Sequence, residues 1–133
     1  MMTISTRGRY ACRITVLLAA RVAAGPVSKQ AIAEAEGITP DYVQQIMQRL
    51  RAAGLAESHR GRGGGFTLAR DPETVSILDV LMAAEGRVEP APCWLPENCD
   101  RVEGCPTRPV WMKAAGLLEE LFGGTTIGEL VPR

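Results

Sequence analysis

The sequence predicts a mainly α fold with one small β-hairpin. Three observations predict it: capped amphipathic helical runs through residue 54, two short β-compatible runs flanking a glycine-rich tip at residues 60–65, and a broad apolar helical stripe after Pro109. Their order is that of a winged helix-turn-helix followed by a C-terminal dimerisation helix.

Apolar residues recur at helical spacing over residues 10–24, at Ala11, Ile14, Leu17, Leu18 and Ala20, until Gly25-Pro26 stops the run. Ser28 is an N-cap for a short helix ending before Gly37. Thr39 caps the next, with Pro40 in the first helical position, where its missing N–H costs nothing. That helix runs to about Ala53 and closes on Gly54 as the left-handed residue past its end. Ile32, Ala33, the Gly37-Ile38 turn, Val43 and Ile46 are spaced as in a helix-turn-helix: small Ala33 lets the helices approach, and Gly37 takes positive φ.

Residues 55–59 and 66–69 read as the strands of a hairpin, the wing, joined by the tip Arg60-Gly61-Arg62-Gly63-Gly64-Gly65. Asp71-Pro72 ends it, and Ser76 with Asp79 forms a capping box for a helix through Ala84 to Gly86. Residues 90–109 then hold five of the nine prolines and three of the four cysteines. Such a segment is not regular structure and needs another constraint, for which cysteine ligation is the candidate. Residues 110–122 carry apolar side chains at Val110, Trp111, Ala114, Ala115, Leu117, Leu118, Leu121 and Phe122, a stripe too broad for one small neighbour. The expected organisation is a DNA-binding winged helix-turn-helix over residues 1–75, then dimerisation helices with a cysteine-rich loop (90–109) over residues 76–133.

The formal net charge is zero, but residues 1–70 hold ten Lys and Arg against four Asp and Glu, and residues 71–133 hold five against eleven. A basic half facing phosphates and an acidic half facing elsewhere fits this asymmetry, because local field and not total charge attracts a polyanion. No run reaches the ~18–20 apolar residues of a membrane span, and the first residues lack the pattern of a signal peptide. The expected location is the cytoplasm.

Thr39, Asp41, Tyr42, Gln44, Gln45 and Gln48 lie near the N-terminus of the second helix or away from its apolar seam, where a recognition helix meets base edges. Glutamine pairs bidentately with adenine, while Thr39 and the helix N-terminus suit a phosphate. Arg60 and Arg62 among glycines let backbone and guanidinium approach phosphate or enter the minor groove. The glycine run lacks the Lys-Ser/Thr of a nucleotide-binding P-loop and opens no helix. Enzyme chemistry finds no paired carboxylates, Cys/His dyad or cofactor fingerprint in the sequence, and the only histidine, His59, sits at the wing.

Cys93, Cys99 and Cys105 are spaced C-x5-C-x5-C. Structural zinc favours close C-x2-C pairs and redox dithiols use C-x-x-C, whereas wider intervals suit a loop wrapped around an iron–sulfur cluster. Three unligated thiols, open to oxidation, are the other reading.

Arg7-Gly8-Arg9-Tyr10-Ala11, the helix-turn-helix, Arg60-Gly61-x-Gly63-Gly64-Gly65-Phe66, C-x5-C-x5-C, Trp111 and Thr126-Ile127-Gly128-Glu129-Leu130-Val131 together resemble the IscR-type iron–sulfur transcriptional regulators, relatives of the nitric-oxide-sensing NsrR group. The resemblance covers essentially the whole chain. It implies a homodimer on a double-stranded DNA operator, with a [2Fe-2S] or [4Fe-4S] cluster on Cys93, Cys99 and Cys105 controlling DNA affinity or sequence preference. It also implies that Gln44, Gln45 and Arg60 contact DNA. Two positions depart from the pattern: Arg108 stands where IscR-like proteins have a histidine, and Arg9 where the nitric-oxide sensors have a cross-subunit aspartate. Arginine does not coordinate iron, being protonated at any relevant pH. Cys12, Glu97, Asp100, Glu103 or an exogenous group are left as sources of a fourth ligand. A cluster-free regulator sensing by thiol oxidation or a protein partner is the alternative, and a thiol oxidoreductase the rival from another class.

Overall fold

The computed structural model describes residues 3–93, 97 and 99–133; Met1, Met2 and residues 94–96 and 98 of the cysteine loop lie outside the described residues. The helices are α1 (Thr6–Ala20), α2 (Lys29–Glu36), α3 (Pro40–Ala52), α4 (Ile77–Ala84), α5 (Arg108–Gly123) and α6 (Ile127–Leu130), with strands β1 (Ala56–His59) and β2 (Gly65–Leu68) between α3 and α4.

Local hydrogen bonds explain most of the boundaries. Ser28 and Thr39 accept from Ala31 N and Tyr42 N at 3.1 Å each, and Ser76 and Asp79 exchange both bonds of a capping box. Gly37 and Gly54 close α2 and α3 at φ +68° and +75°. The first helix differs from the sequence expectation. It starts at Thr6, four residues earlier, because Ser5 caps it by accepting from Gly8 N at 3.0 Å. Distant contacts hold this polar first turn: Ser5 N donates to Glu85 Oε2 at 2.9 Å and Arg7 Nε to the carbonyl of Ala84 at 2.7 Å. The helix also stops at Ala20, and Val22–Ala24 form a single 3-10 turn.

One core joins the elements. Ala11, Ile14 and Leu18 of α1 meet Ile32 and Ala33 of α2, Val43, Ile46, Met47 and Leu50 of α3, Phe66 of β2, Val80 and Ala84 of α4, and Ile127 of α6. Thr15, the buried polar side chain in this core, returns its hydroxyl to the carbonyl of Ala11 at 2.6 Å, so burial leaves it paired. The antiparallel hairpin pairs Glu57 with Thr67 and His59 with Gly65. A bridge absent from the sequence reading secures it: Val27 N donates to Phe66 O at 2.9 Å and Phe66 N to Val27 O at 2.8 Å. The wing therefore gains a third, one-residue rung from the segment between α1 and α2.

Candidate functional site

The apolar seam of α3 is fully inward, with Val43, Ile46, Met47 and Leu50 buried. Thr39, Asp41, Gln45 and Gln48 are exposed on the same helix, and Gln44 is half-buried. This is the division a recognition helix requires: a fixed face that sets its angle and a free polar face that meets bases. Tyr42 departs from it. Its ring is half-buried against the core and meets Tyr10 edge-on at 6.2 Å between centroids, so packing absorbs most of its surface. Arg13, above the Tyr10 ring at 6.0 Å, pairs with Glu36 at 2.6 Å and so fastens α1 to α2.

At the wing, Arg60 and Arg62 are exposed, and neither is in an ion pair among the described residues. Gly61 and Gly63 have φ +87° and +75°, which reverses the chain within five residues, and Gly64 N closes the tip on Gly61 O at 3.0 Å. Gly65 serves close approach: a Cβ there would collide with the Val27 carbonyl. The wing is thus a fixed projection carrying two free guanidinium groups.

The cysteine loop leaves α4 at residue 85 and returns at α5. Cys93, Cys99 and Cys105 are free and half-buried. Arg108, the first residue of α5, donates through Nε to the carbonyl of Cys93 at 3.3 Å and so ties the two ends of the loop together. Arg101 N donates to Cys99 Sγ at 3.4 Å, and Cys105 Sγ lies 3.5 Å from the Thr107 hydroxyl. Hydrogen bonds from the Thr107 side chain and then from the backbone of Thr107 and Arg108 lower the Cys105 pKa. No three Cys, His, Asp or Glu side chains converge on a point that could hold one metal ion, among the described residues. Glu97, Asp100 and Glu103 are exposed.

Cys12 stands apart from these thiols. It is half-buried on α1 and lines an apolar cavity of about 450 Å³ with Val16, Leu17, Ile77, Leu130 and Pro132. Burial, and secondarily the Glu85 carboxylate, pushes its thiol up to about 11. On α5 only Ala115 is buried, while Val110, Leu117 and Leu121 are 58%, 57% and 60% exposed on one helical face. Leu118 and Phe122 instead turn toward Ile4 and Val88 in a cleft beside α1. The broad stripe is therefore two faces, one meeting the chain's own cleft and one bare.

The strap from Arg108 to Cys93 and the Val27 rung were not read from the sequence, since neither has a local signal. The comparisons with known proteins cover nearly all of the chain. The model of the Rrf2 family, described as an iron-dependent transcriptional regulator, matches residues 4–133. The HTH-type transcriptional regulator IscR of Escherichia coli is 33% identical over 130 residues, spanning 98% of this chain and 80% of that protein. CymR of B. subtilis, described as its global cysteine regulator, superposes with a TM-score of 0.85 at 30% identity, covering 98% of this chain and 97% of that one. The IscR of T. potens superposes with a TM-score of 0.80 at 31% identity, covering 96% and 85%.

Proposed function

The chain belongs to the Rrf2 family of DNA-binding transcriptional regulators, and we propose that it acts as a homodimer whose hold on its operator is set by an iron–sulfur cluster on Cys93, Cys99 and Cys105. The observation that carries this reading is the C-x5-C-x5-C loop, three free thiols strapped between α4 and α5. Thiolates are the usual donors for such a cluster, and the amide of Arg101 already donates to one sulfur, an interaction that tunes cluster potential. The donor chemistry fits. Ligation would also supply the constraint that a proline-rich loop lacks, because metal binding and local ordering are one equilibrium. When bound, the cluster supplies iron–thiolate bonds that respond to oxidants and small ligands.

The residues of this chain divide the remaining work. Gln44 and Gln45 read bases from α3, with Thr39 at its N-terminal end, while Tyr42 contributes only the edge that its packing on Tyr10 leaves exposed. Arg60 and Arg62 hold the phosphate backbone or minor groove. Residues 1–75 form the DNA-binding region and residues 76–133 carry the dimer contact and the loop. The exposed face of Val110, Leu117 and Leu121 supports pairing of α5 with a second copy, since that much bare aliphatic surface on one helix favours a partner. The fourth ligand comes from Glu97, Asp100, Glu103 or an exogenous group in preference to Cys12, whose burial disfavours the thiolate.

Purification without oxygen tests the cluster. Brown protein with iron and sulfide, lost in Cys93→Ser, Cys99→Ser and Cys105→Ser alike, is the expected result; colourless, iron-free protein that still binds DNA refutes it. The likeness to CymR favours one second reading, a cluster-free regulator responding to thiol chemistry or a protein partner. That reading expects the colourless outcome, with DNA affinity altered by oxidant or by the partner.

A further inference from the structure

We propose that His59 is a third DNA-contacting side chain of the wing, its protonated ring donating to a backbone phosphate, so that DNA affinity rises as pH falls. The inference rests on the reading that the wing meets DNA. His59 is the last residue of β1, exposed, and immediately precedes Arg60. Strand alternation places it on one face of the hairpin with Glu57, and the register sets these two opposite Gly65 and Thr67.

The ring is held in place. His59 Nε2 lies 2.8 Å from Thr67 Oγ1, across the strands, and the threonine is β-branched and stiff at χ1. The backbone is held too, since Gly64 packs so closely on the carbonyl of His59 that a Cβ there would overlap it. A ring fixed at the base of the tip loses little further freedom on meeting a ligand. Thr67 engages Nε2, which leaves Nδ1 without a hydrogen-bond partner among the described residues.

Protonation then strengthens what Nδ1 can do. The neutral ring holds Thr67 either way, donating Nε2–H to its hydroxyl or accepting from it, and so offers phosphate at Nδ1 a lone pair or an uncharged N–H. In the imidazolium both nitrogens donate, so Thr67 is kept and Nδ1–H is free for phosphate. Contact with phosphate therefore favours the charged ring, and the affinity it adds at low pH is lost as pH rises. The charged groups around the site are mostly cations, which draw the polyanion to it. Arg60 and Arg62 bring the polyanion to the same tip, Glu57 lies on the same face, Arg51 of α3 shares a groove with Glu57, and Arg21 lines the far side of the tip with Gly63 and Gly64. His59 is the only histidine in the chain, so an imidazole-linked effect has one source.

The test measures binding of the full-length protein to a labelled random-sequence duplex of about thirty base pairs, long enough for both half-sites of a dimer. Fluorescence anisotropy at fixed ionic strength is followed from about pH 6 to about pH 8, the range in which histidine changes charge. The parent protein should bind about three- to ten-fold more tightly at the acid end, as expected for one added charge-assisted contact. His59→Gln, which keeps a partner for Thr67, should be flat with pH and match the parent at the alkaline end. His59→Arg should be flat and tight throughout. The same slope in His59→Gln as in the parent overturns the proposal, as does an equal loss at every pH, which would make His59 structural only. A parent protein that binds no DNA at any pH refutes the wing reading instead, a separately visible outcome.

Discussion

Gly65→Ala separates the two uses of glycine in the wing. Gly65 has φ +153° and lies against the backbone of Val27, so a methyl group there would collide with the Val27 carbonyl and sit 2.7 Å from Ser28 N. Backbone on both sides leaves no flexible side chain to give way. The hairpin must move off Val27, and the bonds of 2.9 and 2.8 Å between Val27 and Phe66 are lost. Two backbone hydrogen bonds at about 0.5–1.5 kcal/mol each, with about 1–3 kcal/mol of residual backbone strain, give a loss of about 2–6 kcal/mol. Gly63→Ala is the control. It has φ +75° in open space and should cost only about 1–2 kcal/mol, the ordinary penalty of the left-handed region. Urea unfolding measures both, and binding to random-sequence duplex reports whether the wing still reaches phosphate. Gly65→Ala within about 0.5 kcal/mol of the parent, or a costlier Gly63→Ala, would show that the rung is not what fixes the wing.

Gln44→Ala and Gln45→Ala should each cost about 1–3 kcal/mol on the selected operator while sparing random DNA; equal losses on both would remove them from base readout. Arg60→Ala and Arg62→Ala should weaken all sequences and reduce the salt slope by about one unit each, and an unchanged slope would deny them phosphate contact. Leu117→Glu should give monomer in analytical ultracentrifugation, because burying a leucine is worth about 1.5–3 kcal/mol and a two-fold interface loses it twice. A folded dimer in that variant would move the interface elsewhere. Cys12, at about 11, is ionised to roughly one part in a thousand at pH 8, about a hundredfold below an ordinary thiol. Greater intrinsic nucleophilicity at higher pKa recovers roughly tenfold, so alkylation should run about tenfold slower than ordinary even before burial is counted. Mass spectrometry of labelling with time checks this, and labelling of Cys12 as fast as Cys105 would refute its burial.

What the sequence made legible was what its neighbours in the chain decide. Ser28, Thr39 and Ser76 cap helices through bonds spanning three residues, so the cap and its partner are read in one glance along the chain. The start of α1 was hidden for the opposite reason. Thr6-Arg7-Gly8-Arg9 has no apolar period, and the turn is held by Glu85 and Ala84, near eighty residues away. Tyr42 reads as outward from the sequence, since a tyrosine near a helix N-terminus is ambiguous until Tyr10 is seen beneath it. On α5 the width of the apolar stripe was legible but its division was not, since only the fold shows that Leu118 turns into the cleft while Leu117 and Leu121 stay bare. The cysteine loop is the limiting case. Its spacing names a donor set, and Arg108, which removes a family ligand at the level of sequence, returns in the structure as the strap on Cys93. A residue that cannot bind iron thus still organises the loop, so Arg108→Ala should loosen the three thiols together, raising their alkylation rates in unison. A change confined to Cys93 would instead make the strap a local contact.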